Sequence, residues 1–509
     1  MLSRLQSITL AGIDAIACEV EVNVGSRGFA APVIVGLPDA AVKESLERIR
    51  TAIVNCGFQP PAHRTVINLA PADIRKEGPA LDLPIALGML FASDGAVPED
   101  ADRYMMAGEL ALDGRVRPIK GALSMAMLAK RERYQGVLVP RANAGEAAVV
   151  DDVDVIAVDS LSEAVGFLNG QLPIEPTVID LEATFTHAAQ YDLDFADVRG
   201  QEFCKRALSI AAAGGHNVLL VGPPGAGKTL MAKCLPTILP TLTLNESLET
   251  TRIWSASGNL PVGAALMATR PVRAPHHSAS AAALVGGGSI PQAGEVSLAH
   301  HGILFLDEFP EFQRSILETL RQPLEDGCVT IARSHSSVRF PAEFMLVAAM
   351  NPCPCGYYSD PRRPCKCTQP QIEHYLARIS GPLIDRIDIH VNVPAVPFDD
   401  LRRQKIGTDS RTLLEQVLTS RRVQRRRFGD DNNMLNGRIG PRLVRRHCPL
   451  SADCEQLLKG AMTELGLSAR AHDKVLRLAR TIADIEGADD IATEHLSEAI
   501  QYRRLDRQS

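Results

Sequence analysis

The chain has 509 residues, 45% apolar and 22% charged, which is the balance of a packed soluble protein with length for about three domains at roughly 150 residues each. Those values exclude a disordered or fibrous chain, and a net charge of −6 gives no global sign of a polyanionic partner. The charge is uneven: residues 1–170 and 171–400 each carry −6, 401–509 carry +6, and 401–450 alone carry +9 (13 Lys and Arg against 4 Asp and Glu), so a polyanion contact is to be sought there. The N-terminus MLSRLQSITL lacks the apolar segment of a signal peptide, and the best uncharged apolar run, Leu83–Ala92, falls well short of the ~18 residues of a membrane span. A cytoplasmic protein with no membrane partner is expected. Eleven cysteines do not make a disulfide framework; scattered ones such as Cys18 and Cys234 read as buried small hydrophobes.

In chain order, residues 1–170 alternate β-like runs (Ala15–Val24, Thr65–Leu69, Gly136–Pro140, Asp154–Val158) with helical stretches. Val42, Leu46, Ile49 and Ile53 recur at helical spacing and predict an amphipathic helix over Asp39–Cys56. A polar stretch with prolines reads as a linker at 171–184. A second α/β unit, 185–400, has the apolar strands Asn217–Val221, Gly302–Leu306 and Phe344–Ala349, and 401–509 shows helical periods without a convincing strand.

Asn217–Val221 runs into Gly222, Pro223, Pro224, Gly225, Ala226, Gly227, Lys228 and Thr229, and then into a helical stretch. Strand, glycine loop and helix in that order are the context that confirms a G-x-x-x-x-G-K-[ST] phosphate loop. Backbone N–H groups wrap the phosphates, Lys228 is expected to reach the β/γ-phosphates, and the Thr229 hydroxyl to ligate Mg²⁺. Gly302–Leu306 ends in Asp307 and Glu308. Asp307 is placed to hold Mg²⁺ and Glu308 to polarise an attacking water, which favours ATP hydrolysis over a GTPase switch. The strand Phe344–Ala349 leads to Asn351, a polar residue expected to sit between the two motifs and hold that water.

Arg273-Ala-Pro-His-His-Ser-Ala-Ser280, Val285-Gly-Gly-Gly288, Gly294-Glu-Val-Ser-Leu-Ala-His300, Asn351-Pro-Cys-Pro-Cys-Gly356 and Ile379-Ser-Gly-Pro-Leu-Ile-Asp-Arg386 resemble, together with the nucleotide motifs, the ComM/YifB-type Mg-chelatase-like AAA+ proteins, over nearly the whole chain. The resemblance implies an α/β fold: a Lon-protease-like N-terminal domain, an AAA+ P-loop core and a C-terminal helical lid. It implies Asn351 as first sensor, Arg386 (with Arg378 as the alternative) as an arginine finger acting in trans, and Arg470 as second sensor. A helix-2 insertion near Ala274–Gly294 and a pre-sensor hairpin near Cys328–Pro341 follow from it. So do a homo-hexameric ATPase and a role in DNA recombination as the branch-migration helicase for transforming DNA, with recombination proteins as partners. Magnesium insertion into porphyrin belongs to related but distinct proteins.

Residues 74–82 and 114–123 resemble the proteolytic domain of Lon, but Ala80 stands at its serine position and Leu123 near its lysine position. A hydroxyl nucleophile and its base are both missing, so docking or assembly is the expected use of this acidic domain. Cys328–Phe340 reads as two β segments whose Arg333, His335 and Arg339 face either a central pore or solvent. His276 and His277 lack partners at ligand spacing and are read as loop residues. Cys353, Cys355, Cys365 and Cys367 put four thiols into fifteen residues. A structural Zn²⁺ is one reading, clipping an insert beside Asn351; unligated reduced thiols are the other. Arg421-Arg-Val-Gln-Arg-Arg-Arg-Phe428 is either a DNA contact, for branched or single-stranded DNA also held in a ring pore, or a solvated or intersubunit face. Beside a DNA motor, an ATP-dependent protein remodeller or a chelatase-like motor subunit remains open.

Overall fold

The computed structural model describes every residue except 26–31, 182–184, 186–190, 289–290, 333–336, 359, 361, 396–406, 430–433, 467 and 504–509. The chain forms two compact units, Met1–Ala188 with Thr243–Thr269 and Ala332–Phe340, and Ala189–Leu242 with Arg270–Ile331 and Pro341–Ser509. Arg333 and His335 lie outside the described residues.

The first unit is built on a seven-stranded mixed sheet in the order Val33–Val35, Thr65–Ala70, Asp14–Val24, Leu2–Ala11, Tyr104–Met106, Gly136–Pro140, Asp154–Val158. Asp14–Val24 pairs antiparallel with both neighbours, while the strands from Leu2–Ala11 to Asp154–Val158 run parallel. Cys18, Val20, Val22 and Val24 turn one face of Asp14–Val24 into the core. The amphipathic spacing around Val42 becomes the helix Ala40–Asn55, and Asp39 caps it by accepting the Val42 N–H at 2.8 Å. The apolar run 83–92 is the buried helix Asp82–Asp94, whose Asp82 is held by Arg48 Nε at 2.7 Å. The helix Leu244–Ser257 returns to this unit, where Ser255 Oγ accepts the Gly121 N–H at 3.0 Å. Among the described residues no helix is long and apolar enough to cross a membrane.

The second unit has a five-stranded parallel sheet, ordered Val272–Arg273, Ile303–Leu306, Met345–Met350, Val218–Val221, Ile389–Asn392. The four strands from Ile303–Leu306 to Ile389–Asn392 are runs of buried, mostly apolar residues because both faces are covered. The described part of 401–509 is helical, with Ser410–Phe428, Pro441–His447, Ala452–Leu465, Ala469–Glu486 and Thr493–Gln501. Val417, Val475, Leu478, Ile482 and Leu496 join the strand residues Val218, Leu220 and Val347 in one core.

Candidate nucleotide site

Parallel register brings the motifs together. Val221 pairs with Met350, and Leu306 with Ala348, so the loop after Val221, Asn351 and Asp307 leave the sheet at one edge. In open parallel sheets ligands bind outside the carboxyl ends of the strands. Gly227 opens the helix Lys228–Cys234 at φ 89°, a conformation that a residue with a side chain rarely adopts. Lys228 Nζ donates to the carbonyls of Gly222 (2.6 Å) and Pro223 (3.0 Å) and to Asn351 Oδ1 (3.1 Å). Burial pushes the Lys228 ammonium below its usual range, and Asp307 opposes that shift. Thr229 Oγ1 donates to Asp307 Oδ2 at 2.8 Å, so the hydroxyl and carboxylate expected to share Mg²⁺ are adjacent.

Glu308 has φ 52°, left-handed for a residue with a side chain, and its N–H donates to Asp307 Oδ1 at 2.9 Å. Its carboxylate is exposed on the site, and His277 Nδ1 lies 3.1 Å from Glu308 Oε2. The sequence gives His277 no role here beyond that of a loop residue. What brings it in is topology: Val272–Arg273 lies next to Ile303–Leu306, so residues just beyond both strands meet. Arg273 and Glu295 form a two-point ion pair (2.5 and 2.8 Å) that closes the base of the segment expected to be the helix-2 insertion. Within it lie the helix Ala281–Val285 and the small ribbon of Gly286–Gly287 with Gln292–Ala293. Cys328–Ala332 and Ser337–Pro341 pair as the expected hairpin, with Arg339 exposed.

The three arginines stand in different states. Arg386 is folded onto its own chain, with Nη1 donating to the Pro382 carbonyl at 2.6 Å and Nη2 to Glu325. Arg378 donates to Glu311 Oε2 at 2.7 Å. Arg470 opens Ala469–Glu486, 67% exposed and 3.7 Å from Asp385. The structure brings the Sγ atoms of Cys353, Cys355, Cys365 and Cys367 within 4.8 Å of one another.

The basic segment divides. Arg421 Nη2 donates to the Ala212 carbonyl (2.7 Å), and Arg427 pairs with Asp484, which also receives Arg480 (2.9 Å) and Asn436 (2.8 Å). Arg422, Arg425 and Arg426 stand apart from these inward contacts, with Arg425 and Arg426 exposed. Two of the five arginines are thus turned inward: Arg421 where Ser410–Phe428 packs on Glu202–Gly214, and Arg427 where it meets Asp484 of Ala469–Glu486.

Three family descriptions match in chain order: subunit ChlI of Mg-chelatase over residues 20–143, magnesium chelatase subunit ChlI over 194–401, and its C-terminal part over 407–503. Competence protein ComM of Haemophilus influenzae is 42% identical over 501 residues, 97% of this chain and 96% of that protein. The chain belongs to the ComM/YifB family of magnesium-chelatase-type AAA+ proteins. The uncharacterized protein YifB of Escherichia coli is likewise 42% identical, over 99% of this chain and 98% of its own length. Lon protease 2 of Bacillus subtilis is 28% identical over 143 residues, 28% of this chain and 25% of that protein. The fold is accordingly a Lon-like α/β domain, an AAA+ core and a C-terminal helical region. As a member of this family the chain is an AAA+ ATPase, with ATP and Mg²⁺ as its cofactors.

Proposed function

We propose that this protein is a homo-hexameric, ATP-driven motor on DNA, acting in the cytoplasm as a branch-migration helicase in the recombination of incoming DNA. What supports the reading most is the convergence of the glycine loop, Asp307–Glu308 and Asn351 on one sheet edge, in a chain 42% identical along its length to a protein named for competence. On this reading the domains are 1–170, the linker 171–184, the core 185–400 and the lid 401–509. Gly222 to Lys228 cradle the phosphates. Thr229 and Asp307 would hold Mg²⁺, which neutralises phosphate charge when bound. Glu308 polarises the attacking water, Asn351 orients it, and Arg386 from a neighbouring subunit and Arg470 meet the γ-phosphate. The cofactor set extends to a zinc ion on the four-cysteine cluster. Arg422, Arg425 and Arg426 supply phosphate contacts that do not depend on base sequence, since phosphate oxygens are the same at every base.

The test is strand exchange on a synthetic four-way junction with ATP, without ATP and with a slowly hydrolysed analogue. ATP-dependent resolution of the junction is expected. ATP hydrolysis unaffected by any DNA, with ATP-dependent release of a bound protein instead, would favour the remodeller, a reading suggested by a Lon-like domain with Ala80 and Leu123 where the protease has its reacting pair.

A further inference from the structure

The cysteine cluster is joined to the nucleotide site at both ends. Asn351, which accepts from Lys228, precedes Cys353 by two residues, and Cys353 is fully buried. Gly356 (φ 85°) packs against the glycine loop so closely that a Cβ there would meet Pro224 Cδ at 2.6 Å. Cys365 and Cys367 lead directly into the helix Gln369–Leu376, capped by Thr368. That helix carries Tyr375, whose hydroxyl accepts the backbone N–H of Asn351. The same segment continues to Arg378 beside Glu311. Strand end, thiol cluster, helix and tyrosine therefore form a closed circuit around Asn351.

Three of the thiols are spaced much as on one tetrahedral ion, and the fourth, Cys367, lies within 4.8 Å of them. Sγ of Cys353 lies 3.4 Å from Cys355 and 3.7 Å from Cys365, and Cys355 lies 3.5 Å from Cys365. A tetrahedron with Zn–S bonds of about 2.3 Å has edges of about 3.8 Å, whereas thiols joined as a disulfide approach to about 2.05 Å. Two backbone N–H groups are aimed at sulfur: Cys355 donates to Cys367 Sγ and Cys367 to Cys365 Sγ, both at 3.4 Å. Such contacts orient thiolate ligands and offset their charge. Four soft sulfur donors without a carboxylate or imidazole select zinc over magnesium or calcium, and all four within 4.8 Å of one another suit one ion better than a multinuclear cluster.

We propose that Cys353, Cys355, Cys365 and Cys367 hold a single zinc ion that acts as a positioning device for ATP turnover, fixing Asn351 and the glycine loop through the Gly356–Pro224 and Tyr375–Asn351 contacts. The proposal rests on the reading of this sheet edge as the hydrolytic site. Without the ion, the turn 353–356 and the segment 365–367 are no longer anchored together, and the two contacts that hold Asn351 loosen.

The experiment uses the full-length chain in reductant. Metal content is read by mass spectrometry, folding by circular dichroism, and both nucleotide affinity and kcat before and after zinc removal by chelator and after zinc is returned. One zinc per chain is expected. Its removal should lower kcat by about 10²-fold, the cost of misplacing a catalytic group by about 1 Å, and zinc alone should restore it. Cys365→Ser with Cys367→Ser should abolish zinc binding, whereas Cys365→His should keep both zinc and activity. A wild-type chain with no stoichiometric metal, or with iron in zinc's place, overturns the assignment of the ion. A folded, zinc-free chain that turns over ATP at undiminished kcat overturns the coupling. A zinc-replete chain with no ATPase activity under any condition overturns the hydrolytic reading itself and leaves the metal site standing.

Discussion

His277 Nδ1 lies 3.1 Å from Glu308 Oε2, so a histidine beyond one strand of the core holds the carboxylate that ends the next. On the proposed reading Glu308 acts when water attacks, and Lys228 in the ground state, where it meets phosphate. Glu308→Gln is therefore expected to bind ATP normally and to hydrolyse it at least about 10²-fold more slowly, as loss of a positioned acid–base group does. His277→Ala should lower kcat to a smaller degree and leave nucleotide affinity unchanged. Single-turnover hydrolysis beside equilibrium binding of a fluorescent nucleotide checks both; rapid turnover by Glu308→Gln would sink the assignment.

Lys228→Ala is expected to abolish nucleotide binding. Its ammonium is already gathered by two loop carbonyls and Asn351, so the charge is aimed at the site by short contacts that a methyl group cannot replace. Asn351→Ala, by contrast, should keep binding and lose turnover. Isothermal calorimetry with ATP separates the two, and tight binding by Lys228→Ala would contradict the geometry.

Arg386 is engaged by Glu325 and the Pro382 carbonyl of its own chain, and a residue acting in trans must leave Glu325. Arg386→Ala should stop hydrolysis without weakening ATP binding to a single subunit. Mixed rings of Arg386→Ala and Lys228→Ala proteins should recover partial activity, because one contributes sites and the other fingers. Absence of recovery in mixed rings shown to form by mass spectrometry would count against a finger role.

The outward arginines of Ser410–Phe428 make a numerical claim. Removing one phosphate-binding arginine should reduce the slope of log K against log salt by roughly 0.7–0.9. Replacing Arg422, Arg425 and Arg426 together with Gln should flatten the slope by about 2–3 on any DNA sequence. The inward Arg421→Gln should leave the slope unchanged and lower stability. An unchanged slope with weaker ring assembly would give the helix to the subunit interface.

Burial pushes the His216 imidazole down to about 4, with Asp388 opposing. The folded chain therefore keeps His216 neutral where the unfolded chain, below pH 6.5, takes up a proton. The stability it contributes is intact above pH 6.5 and is lost as pH falls from there to about 4, by at most about 1.4 kcal/mol per pH unit. His216→Asn should flatten this fall, read as amide exchange of Val218–Val221 between about pH 7.5 and 3.5, a range that spans the titration. Identical slopes in the two proteins would overturn it.

The phosphate loop, Asp307–Glu308 and Asn351 are legible in the sequence because each is a short polar signature at the end of an apolar run, although only the parallel register brings the three together. The helix Ala40–Asn55 and the core strands are legible for a related reason: periodicity reports burial directly. The strand Leu2–Ala11 is not, because it turns Ser3 and Ser7 inward, where Ser3 Oγ donates to the Gly88 carbonyl, and no apolar alternation survives. Tertiary structure alone decides which charges meet. His277 faces Glu308 only because two parallel strands are neighbours; Arg386 turns to Glu325 across 61 residues; Arg421 and Arg427 point inward only because their helix packs on another. Their types and spacing are those of any surface arginine or loop histidine, and what distinguishes them is a partner distant in sequence, fixed by sheet order and helix packing.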